Sequence, residues 1–154
     1  MVANYLFITS QIGLGPEIIS ARQVFEELME RGIWYLWVKT PYYKVFQAGD
    51  KALFYLSGKG NRSVVGSAIV ADRPQPLTPE DESTLEKLGM PWFQFRLPLR
   101  KIEKWDSPVP IGSLVPNLDF ITEKRNWGLN MRQGCRQITD SDYLLLMRAH
   151  DEPH

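Results

Sequence analysis

The side chains that carry out most enzyme chemistry are scarce in this chain. It has two histidines, His150 and His154, both within the last five residues, and one cysteine, Cys135. Histidine is the usual general base near neutral pH and the commonest metal ligand. A Ser-His or Cys-His catalytic unit would have to recruit a residue from the C-terminal tail, and a zinc site lacks ligands. No phosphate-binding glycine loop is present; Gly58, Lys59 and Gly60 form too short a run and sit in an expected hairpin turn. A carboxylate-only enzyme stays open, although no spacing nominates a pair. Cys135 reads as a small buried side chain rather than a nucleophile. The balance points to a non-enzymatic module without metal or cofactor.

The aromatic and basic residues point elsewhere. Trp34, Tyr35, Leu36 and Trp37 are consecutive, and Trp127 stands among Lys124, Arg125, Arg132 and Arg136. A basic run with an interleaved ring suits a nucleic-acid contact, because Arg and Lys hold phosphates while the ring stacks on a base. Stacking is worth about 1–3 kcal/mol per base. The plainer reading is also physical. If 33–38 is a strand, Trp34 and Leu36 share one face and Tyr35 and Trp37 the other, so at least one Trp is ordinary core. Trp127 could equally plug the end of a sheet. Trp92 and Trp105 bracket a strand and read as core or edge packing.

These residues need a scaffold, and the composition supplies one. The chain has 154 residues, 44% hydrophobic and 12% aromatic, enough for one domain over 1–154 with its own core. One cysteine excludes an internal disulfide framework. No segment approaches the roughly 20 apolar residues of a membrane helix. The first nine residues lack a charged region and read as a strand rather than a signal peptide, so a cytoplasmic location is expected. Eighteen basic residues balance 18 acidic ones, which argues against coating nucleic acid through bulk charge but allows a local basic face.

Local patterns predict the elements. Residues 3–9 are rich in strand formers. Ser20 with Gln23 forms a capping box, Val24, Phe25, Leu28 and Met29 fall on one helical face, and Gly32 ends the helix. Residues 33–38, 51–57 and 62–71 read as strands, the last two as a hairpin around 58–61; one helical turn is expected over 42–47. An excursion at 72–91 is read as an insertion holding a small helix, with Thr78 as cap, Pro79 at its first position and Asp81 at its third. Its Asp81, Glu82, Glu86 and Lys87 read as an exposed face. Residues 92–105 alternate as a long strand, with Pro98 suggesting an edge or bulge. Residues 106–137 read as irregular with short turns. Thr139 caps a final helix whose Tyr143, Leu144 and Met147 face the core, with Leu146 as a further candidate. Five or six strands with short helices and no regular βαβ alternation predict an α+β domain with a curled, mostly antiparallel sheet; one connection through the first helix could be parallel.

Three stretches, in this order, carry a family resemblance: Asn4 to Ser10 followed by a helix and Gly32 to Trp34; Gln47 to Tyr55 followed by Val65 to Val70; and Phe120 to Gly128 followed by Arg132 to Ile138. Together they resemble the EVE domain and, through it, the PUA-like superfamily with YTH and ASCH domains. The resemblance implies a pseudo-barrel with a pocket at one end. The pocket would be built from the end of the first strand, the Trp after the first helix, the Gly49-Asp50-Lys51 hairpin and the segment before the last helix.

In YTH-like relatives such a pocket holds a methylated base between tryptophans, and EVE relatives are linked with modified bases in DNA or RNA. The implied base contacts are Ser10, Gln11, Trp34, Tyr35, Trp37, Tyr55, Trp127 and Gln133. The implied backbone contacts are Lys39, Lys59, Arg62, Lys124, Arg125, Arg132 and Arg136. Gln133 replaces the Asp of an Arg-Asp pair found in YTH-like domains. The second cage wall falls to Trp37, Trp127 or the more distant Trp92. The resulting expectation is a nucleic-acid partner, DNA or RNA, carrying a modified base. The rivals are a small-molecule or nucleotide pocket, an ASCH-like hydrolase with Thr9, Lys39 and Glu123 as its scattered polar candidates, and a protein-interaction module with an exposed apolar patch.

Overall fold

The computed structural model describes residues 2–13, 18–38, 44–58, 60–122, 124–125, 127–131 and 134–151. Lys39, Lys59, Glu123, Arg132, Gln133 and the first part of the expected turn at 42–47 lie outside them. The described elements include β1 (Asn4–Thr9), α1 (Ala21–Arg31), β2 (Ile33–Leu36), β3 (Lys51–Leu56), β4 (Ser63–Val70) and β5 (Gln75–Pro76). They continue with α2 (Pro79–Lys87), β6 (Phe95–Pro110), β7 (Cys135–Ile138) and α3 (Asp140–Asp151).

The strands form one sheet in the order β2-β6-β4-β3-β1-β7, with the two-residue β5 also on β6. The fold is a curled mixed sheet with short flanking helices, the α+β architecture expected from the sequence. Four neighbouring pairs on this path are antiparallel, whereas β1 runs parallel to β3, Tyr5 opposite Ala52 and Phe7 opposite Phe54. That pair is linked through α1 and β2, the crossover a parallel neighbour needs.

All six residues of β1 are buried, so both faces of the sheet are covered. Tyr5 and Phe7 point into a core shared with Val24, Phe25 and Leu28 of α1 and with Trp34 and Phe54. Leu6 and Ile8 point into a second core with Trp105, Val115, Ile121 and Leu146. Both capping boxes form: the Gln23 amide donates to Ser20 Oγ at 3.1 Å and the Asp81 amide to Thr78 Oγ1 at 3.1 Å. Gly32 takes the left-handed conformation that closes α1 (φ 69°).

Several expectations are corrected. The long strand does not stop at Trp105: β6 runs on to Pro110, because Val109 and Pro110 pair with Val64 and Ser63. This pairing overrides the weak strand tendency of Asp106, Ser107 and Pro108. It requires two register shifts against β4, and at that bend Gly66 passes so close to β6 that a Cβ would lie 2.6 Å from the Glu103 carbonyl oxygen. Cys135–Ile138, expected to be irregular, forms β7 along the free edge of β1. On α3, Leu146 is fully buried while Leu144 is 48% exposed, because Asp142 and Leu146, one turn apart, define the inner face. Asp81 is fully buried rather than on an exposed helix face.

Candidate functional site

A cavity of about 320 Å³ opens where the end of β1 meets α1. The residues from Ile8 to Gly13 form one side, Val24 and Leu28 of α1 another, and Trp34 and Tyr35 of β2 a third. Met90, Trp92 and Phe93, from the loop between α2 and β6, complete it. The lining is largely apolar and aromatic, with Ser10 and Gln11 as exposed polar groups. This composition suits a small planar ligand fixed by few polar contacts, and the volume lies at the low end of the roughly 300–1,000 Å³ of ligand pockets.

Trp34 belongs to both the cavity and the core. It is 7% exposed, its ring centroid 5.0 Å from that of Phe7 and 5.6 Å from that of Phe54. Trp92 is 47% exposed, with Phe93 as a ring neighbour at 5.6 Å. The core-or-edge reading of Trp92 is therefore corrected: β6 begins only at Phe95, and the loop ahead of it turns the indole to solvent beside the cavity. Trp92, the more distant of the candidates for the second wall, lines the cavity, and Met90 and Phe93 beside it are lining residues that the sequence did not nominate. Pro91 beside Trp92 was the available signal, since it argues for a loop rather than a strand.

A buried carboxylate on α2 ties that helix to α1, β2 and β6. Asp81 Oδ1 accepts from the Tyr35 hydroxyl at 2.8 Å and from Arg31 at 3.0 Å. Arg96 Nε lies 2.8 Å from Oδ2, and the Thr78 amide and hydroxyl each donate to Oδ2 at 2.9 Å. Burial alone would raise the Asp81 pKa, but the Thr78 amide, the Tyr35 hydroxyl and Arg31 outweigh it and lower it to about 2. Burial and the neighbouring carboxylate push the Tyr35 phenol up to about 12. Tyr35 thus lines the cavity with its ring, while its hydroxyl is committed to Asp81.

A second cavity of about 280 Å³ adjoins the first and shares Ser10 with it. Tyr55, Ser57, Gly58, Arg62, Trp127, Gly128 and Met131 line the rest. The single pocket implied by the resemblance is thus divided: the turn between β3 and β4 and the described residues before β7 line the second cavity, while Gly49, Asp50 and Lys51 line neither. Ser10 and Ser57 join the two sides through an Oγ–Oγ hydrogen bond of 2.7 Å.

The remaining expected contacts lie apart from both cavities. Trp37 is half-buried and lines neither. Lys124 donates to the Leu118 carbonyl. Arg136 donates to the Phe120 carbonyl at 3.1 Å and lies over the Phe120 ring. Arg125 is exposed and lines neither cavity. Among the described residues no group of three His, Cys, Asp or Glu could hold a metal, and no helix is long and apolar enough to cross a membrane. Cys135 is buried and its thiol is shifted upward by burial, away from the thiolate.

The fold has solved counterparts. The human THYN1 protein in complex with 5-methylcytosine-containing DNA superposes with a TM-score of 0.67 at 11% identity, covering 99% of each chain. The Pho92 YTH domain in complex with m6A gives 0.62 at 13% identity, covering 99% of this chain and 85% of that one. In sequence, a UPF0310 protein of Mesorhizobium japonicum is 38% identical over 58 residues, 36% of this chain. A UPF0310 protein of Bacillus licheniformis is 41% identical over 39 residues, 25% of this chain. The matches span 39% and 26% of the length of these curated relatives. The EVE domain family model matches residues 24–149, from α1 through nearly all of α3, and the chain belongs to the EVE domain family.

Proposed function

We propose that this protein is a non-catalytic nucleic-acid-binding module that holds a modified nucleobase of DNA or RNA in the cavity lined by Trp34 and Trp92. The observation that carries this reading is the aromatic cavity itself, with indoles from two different elements and Ser10 and Gln11 as polar groups at its side. Stacking contributes about 1–3 kcal/mol per base. An added methyl group increases the apolar area, so one small substituent can be discriminated. Extrusion from a duplex costs a few kcal/mol, least for single strands or damaged pairs. The methylcytosine DNA bound to THYN1 and the m6A bound to the Pho92 YTH domain show what two structural neighbours hold.

The test is a binding panel of oligonucleotides differing in one base: plain cytosine, 5-methylcytosine, plain adenine, N6-methyladenine and further modified bases. A modified base should bind more tightly than its plain counterpart, and affinity should fall with salt. Trp92→Ala should remove most of that preference. Equal binding across a broad panel would sink the reading.

A further inference from the structure

The geometry points to the second cavity as a phosphate site: it takes the phosphodiester of the nucleotide whose base enters the first cavity. This inference rests on the base-binding reading and adds a built anion site to it. Among the described residues its lining carries one cation, Arg62, and no carboxylate; the Tyr55 hydroxyl is its uncommitted donor, while Ser10 and Ser57 bond each other and Ser57 also donates to the Thr9 carbonyl. A guanidinium beside a free phenol hydroxyl favours an anion.

Three further observations support it. Arg62 makes no ion pair among the described residues; its guanidinium lies over the Trp127 ring, 5.7 Å from the centroid, which orients the fork without neutralising it. Tyr55 is 1% exposed, yet its hydroxyl forms no hydrogen bond among the described residues while the side chain lines the cavity. Burial pushes that phenol up to about 12, against the opposing pull of Arg62, so it stays a donor. Arg62 also holds a left-handed backbone, φ 52°, uncommon for a residue other than glycine and a feature that clusters at ligand sites.

Position supplies the link to the first cavity. Ser10 lines both, so a base in one and a phosphate in the other are separated by the width of a single residue. A base and the phosphate of its own nucleotide are separated by one sugar. Arg62, Trp127 and Tyr55 are thereby distinguished from the basic residues elsewhere on the surface: they grip the backbone at the base being read.

The experiment uses the full chain and four probes of the preferred base: nucleoside, 3′-monophosphate, 5′-monophosphate and oligonucleotide, with inorganic phosphate as a fifth. One monophosphate should bind about tenfold more tightly than the nucleoside, a typical worth for a charge-assisted contact. Arg62→Gln should erase that gain and lower the slope of log affinity against log salt by about 0.7 for a single strand. Arg100→Gln, an exposed cation that lines neither cavity, should leave both unchanged. Tyr55→Phe should reduce the monophosphate gain at an unchanged melting temperature. If Arg62→Gln impairs folding, Arg62→Lys serves instead, keeping the charge, losing the fork and giving a partial loss.

Base preference in the wild type with no monophosphate gain overturns the phosphate site and leaves the base reading intact. Equal effects of Arg62→Gln and Arg100→Gln overturn it as well. An Arg62-dependent salt slope without any base preference overturns the base reading while supporting the phosphate site. Inorganic phosphate bound as tightly as the monophosphates overturns a nucleic-acid source for the anion.

Discussion

The hydroxyl of Tyr35 donates to Asp81 Oδ1 at 2.8 Å, tying the strand that carries Trp34 to the helix that precedes Trp92. A single buried carboxylate thus fixes α2, which leads into the Trp92 loop, against the strand of Trp34. Asp81→Ala should destabilise the protein by about 3 kcal/mol in chemical denaturation, because it leaves Arg31 and Arg96 beside an emptied site. Base affinity should fall with it at temperatures where the protein remains folded. A loss under about 1 kcal/mol would show that Asp81 does not hold α2 in place.

The same contact sets a pH window. The folded Asp81 carboxyl titrates at about 2, below its ordinary value, so its stabilisation is complete above roughly pH 4 and is lost as pH falls toward 2. The Tyr35 phenol is raised to about 12, so its neutral form is favoured in the fold. That contribution is complete below about pH 10 and is lost as pH rises toward 12. Melting temperature measured from pH 2 to 12 should fall at both ends, and Tyr35→Phe should flatten part of the alkaline fall.

Trp34 and Trp92 should behave in opposite ways under the same substitution. Trp34→Ala removes a nearly buried indole packed on Phe7 and Phe54, and should cost about 3–5 kcal/mol. Trp92→Ala removes a half-exposed ring and should cost under about 1 kcal/mol while weakening base binding about tenfold or more. Thermal melts beside binding titrations separate the two. If Trp92→Ala binds as the wild type does, Trp92 is not a wall of the base site.

At Gly66 the effect should be purely structural. Gly66→Ala places a methyl group 2.6 Å from the Glu103 carbonyl oxygen and 3.1 Å from Phe25, so β4 and β6 must separate locally. The expected loss is about 1–3 kcal/mol in denaturation midpoint terms, with base preference kept in the folded fraction. An unchanged midpoint would mean that the bend in β6 yields more easily than a ladder should.

What the sequence revealed follows the range of the interactions involved. Both capping boxes could be read because they join residues three apart, and the face of α1 because it repeats at helical spacing. Asp81 was legible as a cap but not as a buried hub, since Arg31 and Tyr35 lie 50 and 46 residues away along the chain. Trp92 was misplaced because the alternation of Phe93, Phe95 and Leu97 suggests a strand starting earlier than it does. Lys124 and Arg136 stand in a basic run, and a run of charges does not reveal that both reach back to main-chain carbonyls.

The loop bearing Met90, Trp92 and Phe93 belongs to the stretch between β4 and β6, which meets the sheet at the two-residue β5 and at its two ends, where the Ala71 amide donates to the Pro98 carbonyl and the Gln94 amide to the Leu36 carbonyl. The central pairing of β3, β4 and β1 continues without it. The scaffold and the ligand-facing wall can therefore diverge at different rates. Substitutions, insertions or a wholesale exchange in this stretch would retune what the cavity accepts, provided a carboxylate survives to meet Arg31, Tyr35 and Arg96.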